Sequence, residues 1–194
     1  MLRIGESIDR PVTDHGLTIA PLNWAKRRKR GFRRIVGCYD PDTRTNRIIR
    51  FHLPDAPEML ILKFVDLDDP APAPHCERSE LRMPRRSDVE RALAFDRPGE
   101  RLLIHCHAGI SRSSAIAVAL IAARLGPGHE DDAVDAVLAI RPQAVPNLAV
   151  IRHADAILER SGRLTAAVLA RETPEWAARR AANRQAYLYY YGAS

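Results

Sequence analysis

Aromatic residues are scarce: 4 Phe, 2 Trp and 5 Tyr make up 6% of the 194-residue chain. Aliphatic side chains must therefore fill the core, and a hydrophobic content of 46% supplies enough of them for one domain of this length. Cysteine is scarce too. Cys38, Cys76 and Cys106 are too few and too scattered for a disulfide framework, and no Cys-x-x-Cys spacing suggests a zinc site. No stretch approaches the roughly 20 apolar residues of a membrane span. The opening MLRIGESIDRP carries charges at Arg3, Glu6, Asp9 and Arg10 and no apolar run of signal-peptide length. These absences lead to an expectation of a reducing, cytoplasmic setting, in which a cysteine stays a thiol.

Charge is present but uneven. Residues 1–50 hold 12 Lys/Arg against 5 Asp/Glu, and the rest of the chain holds 18 against 19, so the formal net charge of +6 comes from the first quarter. Most of the excess lies in Lys26–Arg34, KRRKRGFRR. Such a run can bind nucleic acid or acidic lipid. Nucleic-acid binding would call for interleaved aromatics, and only Phe32 is present. The run is read instead as a solvated basic surface near the entrance to a site for anionic substrates, with no nucleic-acid partner.

A β-rich first half gives way to a helical second half, without repeats or low-complexity linkers. Arg34–Tyr39, Arg47–His52 and Met59–Val65 are short apolar or β-branched runs bounded by Pro, Asp and Asn, which predicts strands, with a turn over Asp40–Thr45. Residues 66–86 contain Pro70, Pro72, Pro74 and Pro84 and are predicted as loop. Ser87-Asp88-Val89-Glu90 reads as a capping box opening a helix to about Phe95. Arg101–His105 is predicted as a compact apolar strand. Ser113–Leu125 is an almost wholly apolar, buried helix, stopped by Gly126-Pro127-Gly128. Helices are also predicted over Asp132–Ile140, Leu148–Glu159 and about Leu164–Tyr191, the last with a break at Pro174. In that last segment Trp176, Tyr187 and Tyr189–Tyr191 are read as packing residues. The expected fold class is α/β, a central mostly parallel sheet flanked by helices.

The chemistry concentrates in His105-Cys106-His107-Ala108-Gly109-Ile110-Ser111-Arg112-Ser113-Ser114, between a strand and a buried helix. Backbone N–H groups of a tight loop at a helix N-terminus form an anion cradle, and the helix dipole adds positive potential there. Gly109 permits tight geometry, with φ > 0 if needed. Arg112, at the helix start, can fork two phosphoryl oxygens. The same field favours a thiolate at Cys106, and Ser113 can donate a hydrogen bond to that sulfur. A bland alternative, a buried Cys followed by an ordinary helix, must account for the Gly three residues on, the Arg six residues on and the Ser after it.

HCHAGISRSS resembles the His-Cys-x5-Arg-Ser/Thr signature of the protein tyrosine phosphatase superfamily. The mid-chain position of Cys106 is similar to the classical and dual-specificity branch. Arg141-Pro142-Gln143-Ala144-Val145-Pro146-Asn147, followed by a helix with Ile151, Ala154 and Leu158, resembles the segment that follows the loop in compact dual-specificity enzymes. The likeness spans about residues 33–160 and is closest to compact bacterial tyrosine-phosphatase-like proteins. It implies a single phosphatase domain with a basic N-terminal segment (1–32) and a helical C-terminal extension (161–194). It also implies that Cys106 attacks phosphorus to form a cysteinyl-phosphate, without metal or cofactor. Residues 107–112 (His107, Ala108, Gly109, Ile110, Ser111 and Arg112) would bind the phosphate, or a sulfate in its place, while Arg112 stabilises the equatorial oxygens.

The leaving oxygen needs a proton. The superfamily uses an Asp on a loop after a strand, which here means Asp66, Asp68 or Asp69 in FVDLDDPAP. Asp66 directly follows the predicted strand and ranks first, then Asp69, then Asp68. His105 is read as a structural support that bonds backbone near the cysteine. His107 is read as pointing outward, where its charged form would favour acidic substrates. The loop lacks the lysine typical of superfamily members acting on 3-phosphoinositides, which favours phosphoprotein or small aryl-phosphate substrates. Alternatives left open are a phosphoinositide, inositol phosphate or RNA 5′-phosphate substrate, and a phosphate-binding module with little turnover. Cys38 or Cys76 could protect Cys106 through a reversible disulfide; the preferred reading is a buried and an incidental thiol.

Overall fold

Four strands, all parallel, lie in the order β1-β4-β2-β3 in the computed structural model, which describes residues 15–49, 56–69 and 82–191. The strands are β1 (Leu17–Pro21), β2 (Arg34–Tyr39), β3 (Glu58–Lys63) and β4 (Leu102–Cys106). The helices are α1 (Leu22–Arg28), α2 (Arg86–Phe95), α3 (Arg112–Leu125), α4 (Glu130–Ile140), α5 (Leu148–Ile157), α6 (Arg163–Leu169) and α7 (Pro174–Tyr191). β2 and β4 are buried along their whole length, as the inner strands of a parallel sheet covered on both faces must be.

Alternation along the strands divides the core in two. Leu17, Ile19, Val36, Cys38, Leu60, Leu62, Ile104 and Cys106 point to one face, where they pack with α2 to α6. Ala20, Ile35 and Leu103 point to the other, where they meet Ala25 of α1, Phe32 and Ile49. The apolar helix α3 is buried from Arg112 to Ala122, so the element that follows the loop 107–111 is also the centre of the larger core.

Several sequence expectations are corrected. Residues 17–28 form a strand and a helix that the sequence reading did not assign. LTIAP is only five residues long, too short for its period to stand out, and it pairs with β4 as an edge strand. The predicted strand Arg47–His52 is not one over its described part: residues 45–47 form a 3-10 turn, Ile48 and Ile49 are irregular but buried, and 50–52 lie outside the described residues. These side chains fill the core without any ladder partner. The capping box at Ser87 is displaced. The helix starts at Arg86, and the Asp88 carboxylate accepts the Arg85 N–H at 2.9 Å and pairs with Arg82. Glu90 pairs instead with Arg86 on the surface. The expected break at Pro174 is a true helix start, the position where the missing N–H of proline costs nothing.

In the basic run, Arg27, Arg28, Arg30 and Arg33 are exposed. Arg34 is buried, ion-paired with Glu58 and Glu100 and lying over the Phe95 ring. No helix among the described residues is long and apolar enough to cross a membrane.

Candidate active site

β4 runs straight into residues 107–111 and then α3, so the loop opens at the C-terminal edge of the sheet, between β1 and β2. Its polarity follows from its hydrogen bonds. The carbonyl of His107 accepts the Leu22 N–H at 3.2 Å, and that of Ile110 accepts the Val145 N–H at 2.9 Å. Arg141, itself buried, donates from Nε to the Gly109 carbonyl (2.9 Å) and from Nη2 to that of Ala108 (3.2 Å). The Ser111 carbonyl accepts from Ala115 N–H and from the Ser114 hydroxyl. Five successive carbonyls thus face outward. The peptides are trans, so the following N–H groups, those of residues 108–112, face inward. The Gly109 N–H shows this directly, donating to Cys106 Sγ at 3.2 Å. The result is an anion cradle of amides at the N-terminus of a buried 14-residue helix.

Gly109 is required twice over. Its φ is +68°, and a Cβ there would lie 2.5 Å from the backbone of Ala20. The β1–α1 junction, unassigned from the sequence, is therefore what the loop leans on.

Cys106 lies at the floor, 2% exposed, and the Ser113 hydroxyl is 3.2 Å from its sulfur. Arg112 Nη1 donates to Asp40 Oδ1 (2.8 Å) and to the Phe64 carbonyl (3.0 Å), and its Nε lies 3.9 Å from Asp66 Oδ2. Burial works against the charged guanidinium, but Asp66 and Asp40 outweigh it and its pKa is raised. Behind the cysteine, His105 is fully buried and contacts the Tyr39 hydroxyl at 3.3 Å. Tyr39 in turn accepts the Ile49 N–H. Burial pushes the imidazole down to about 4, against the backbone of Cys106, which favours its charged form, so the ring is neutral near pH 7. Its side chain reaches Tyr39 across the sheet face opposite the cysteine. Cys38, on β2, shares the face of Cys106, and burial, reinforced by the Cys106 sulfur, pushes its thiol pKa up. Cys76 lies outside the described residues.

The three candidate acids are separated by their partners. Asp66 Oδ1 accepts from the Ser111 hydroxyl (2.6 Å) and from Asn147 Nδ2 (3.1 Å), which puts its carboxylate beside the loop 107–111. Asp68 faces away: Oδ1 accepts the Leu148 N–H at the start of α5 (2.6 Å), and Oδ2 pairs with Arg180 of α7 (2.8 Å). Asp69 pairs with Arg152 on the surface. Asn147 joins these parts. It caps α5 by accepting the Val150 N–H and holds the acid loop through Asp66 and the Leu67 carbonyl. Asn147 and Arg141 both lie in the segment whose likeness to dual-specificity enzymes is visible in the sequence, which is the signal that could have marked them. Asp40 follows β2 at the same sheet edge, but nothing in its local sequence points to Arg112.

Two openings meet at the cysteine, both lined by Cys106, His107 and Arg112. One, about 610 Å³, is bounded by Val65, Leu67 and Ile110 and by Ala186 and Tyr187 of α7. The other, about 690 Å³, is polar, with Lys26, Arg44 and Arg47 on its rim beside Asp40 and Asp42. Tyr187 is thus a pocket residue rather than a packing residue, Tyr189 is 81% exposed, and Trp176 alone of the three is buried. Among the described residues, no three His, Cys, Asp or Glu side chains gather as a metal-ligand set.

The fold that carries this loop, a parallel α/β sheet flanked by helices, is similar to that of solved phosphatase-like structures. The human tyrosine phosphatase-like serine/threonine/tyrosine-interacting protein is 20% identical, with a TM-score of 0.52 over 73% of this chain and 90% of that one. A mouse putative dual specificity phosphatase complexed with zinc tungstate is 19% identical, with a TM-score of 0.51 over 86% of this chain and 96% of that one. No family model and no curated protein matches the sequence. The chain has the fold of dual-specificity and tyrosine-phosphatase-like proteins.

Proposed function

We propose that this chain is a cysteine-dependent phosphatase that hydrolyses phosphate monoesters, foremost protein phosphotyrosine, through a cysteinyl-phosphate. The observation that carries the reading is Cys106 at the floor of an amide-lined loop, with Asp66 across the same pocket. A phosphoryl group in the cradle receives inward N–H groups and the Arg112 guanidinium on its non-bridging oxygens. The Cys106 sulfur forms the S–P bond as the ester P–O bond breaks, and Asp66 gives its proton to the leaving oxygen. Water then attacks phosphorus, Asp66 takes its proton, the S–P bond breaks and inorganic phosphate leaves. The Ser113 hydroxyl, 3.2 Å from Sγ, steadies the departing thiolate. The slot walled by Leu67, Ile110 and Tyr187 suits an aryl leaving group.

A second reading keeps the same loop and takes a small polyanion, an inositol phosphate or an RNA 5′-phosphate. The basic rim of Lys26, Arg44 and Arg47 favours it. Turnover of p-nitrophenyl phosphate and a phosphotyrosine peptide in EDTA tests the main reading, with Cys106→Ser expected to lower the rate at least ~10³-fold. Activity that survives Cys106→Ser would rule out the covalent route, and loss of wild-type activity on adding EDTA would point to a metal hydrolase. Preference for inositol polyphosphates over the peptide would select the second reading.

A further inference from the structure

The C-terminal helix, outside the stretch that resembles phosphatases, contributes to the pocket. Arg179, Asn183, Ala186 and Tyr187 line it, and their spacing of four, seven and eight residues puts them on one helical face. Neighbouring positions on the same helical stripe, one to three turns toward the N-terminus, hold that face in place. Trp176 is buried, and Arg180 makes three attachments: Nη1 to Asp68 Oδ2 at 2.8 Å, Nη2 to the Pro146 carbonyl at 3.1 Å and Nε to Glu172 at 3.2 Å. The first reaches the loop that carries Asp66, the second the segment that carries Asn147. α7 is therefore tied to both pieces that place the candidate acid.

Arg180 is fully engaged, whereas Arg179 is exposed at the pocket and makes no ion pair among the described residues. Arg112, the other cation of this pocket, already faces Asp40, Asp66 and the scissile phosphate position. A second negative group on the substrate would need a cation of its own, and on this side Arg179 supplies it. Resting on the phosphatase reading above, we propose that α7 is the specificity wall of the active site and that Arg179 binds an acidic side chain flanking the phosphotyrosine of a protein substrate.

The test uses two phosphotyrosine peptides that differ only in having Asp/Glu or Asn/Gln beside the phosphotyrosine. The full-length protein is expected to prefer the acidic peptide in kcat/KM, and Arg179→Gln to reduce that preference roughly fivefold, the scale of one exposed charge-assisted contact. Arg184→Gln removes the same charge from α7 at a position that does not line the pocket, and is expected to keep the preference. An unchanged preference in Arg179→Gln, or an equal drop in Arg184→Gln, would overturn the proposal. So would a loss confined to inositol polyphosphate hydrolysis.

The same peptide pair is measured by fluorescence anisotropy on Cys106→Ser, with and without Arg179→Gln. If wild type turns over neither peptide while acidic-peptide binding still depends on Arg179, the hydrolase reading falls and the specificity wall stands. If neither peptide binds, the wall falls as well.

Discussion

The loop after β4 and the loop after β3, the candidate phosphate and acid loops, face each other across one pocket, yet they are built differently. Residues 106–112 join a buried strand to a buried helix, and their outward carbonyls are taken by Leu22, Val145, Arg141 and the first turn of α3. The bonds that shape this loop fall on its own backbone carbonyls, from backbone N–H groups and from the side chains of Arg141 and Ser114. Residues 66–69 follow β3 with no regular structure and are placed by side chains: Ser111 and Asn147 on Asp66, Leu148 and Arg180 on Asp68, and Arg152 on Asp69. A loop bonded at every backbone carbonyl holds the residue at its floor, Cys106, at one depth. A loop fixed by a few side-chain contacts can be loosened one contact at a time, so its failures are graded.

That contrast can be broken at its strongest point first. Asp66→Asn is expected to lower kcat about 10²-fold for phenyl phosphate and much less for an ester whose leaving group needs no proton, such as 2,4-dinitrophenyl phosphate. A loss of the same size in Asp68→Asn or Asp69→Asn would mean that the acid loop is not held as its partners indicate.

The phosphate loop is probed next, through pH. His105 is folded with a pKa of about 4, against about 6.5 in the unfolded chain, so the unfolded state binds the proton first as pH falls. Stability from the neutral ring is present above about pH 6.5 and is lost as pH drops toward 4, by up to about 3 kcal/mol. Urea midpoints across this window should fall more steeply in wild type than in His105→Gln. Parallel curves would show that burial of this ring does not support the loop.

The smallest effect concerns the link to α7. Arg180→Ala is expected to slow phenyl phosphate hydrolysis about threefold while sparing 2,4-dinitrophenyl phosphate, because it acts only through the placement of Asp66. An equal effect on both esters would make Arg180 a general stabiliser of the fold rather than a positioning residue.

The difference between the loops also explains what could be read in advance. Cys106, Gly109, Arg112 and Ser113 lie within eight consecutive residues of a strand–loop–helix, so their grouping follows from local geometry and the signature was legible. The apolar run of Ser113–Leu125 identified a buried helix for the same reason: burial on all sides leaves no polar stripe. Asp66 could be ranked first from its place after a strand, but its separation from Asp68 and Asp69 depends on partners more than 40 residues away in sequence. The short edge strand β1 and helix α1 were missed because five residues carry too little period, and a run of arginines hides a helix with a single buried face residue, Ala25.

By itself, then, the sequence determined the α/β class, the strand–loop–helix over residues 102–125, and the grouping of Cys106 with Arg112, because short-range backbone geometry and an all-apolar helix write themselves into consecutive residues. Tertiary structure alone decided which aspartate bonds the loop after Cys106, that Ala20 presses on Gly109, that Asp40 meets Arg112, and that α7 walls the pocket. Those are contacts between segments far apart in the chain. They are selected by packing and charge pairing in the folded state, and no local pattern encodes them.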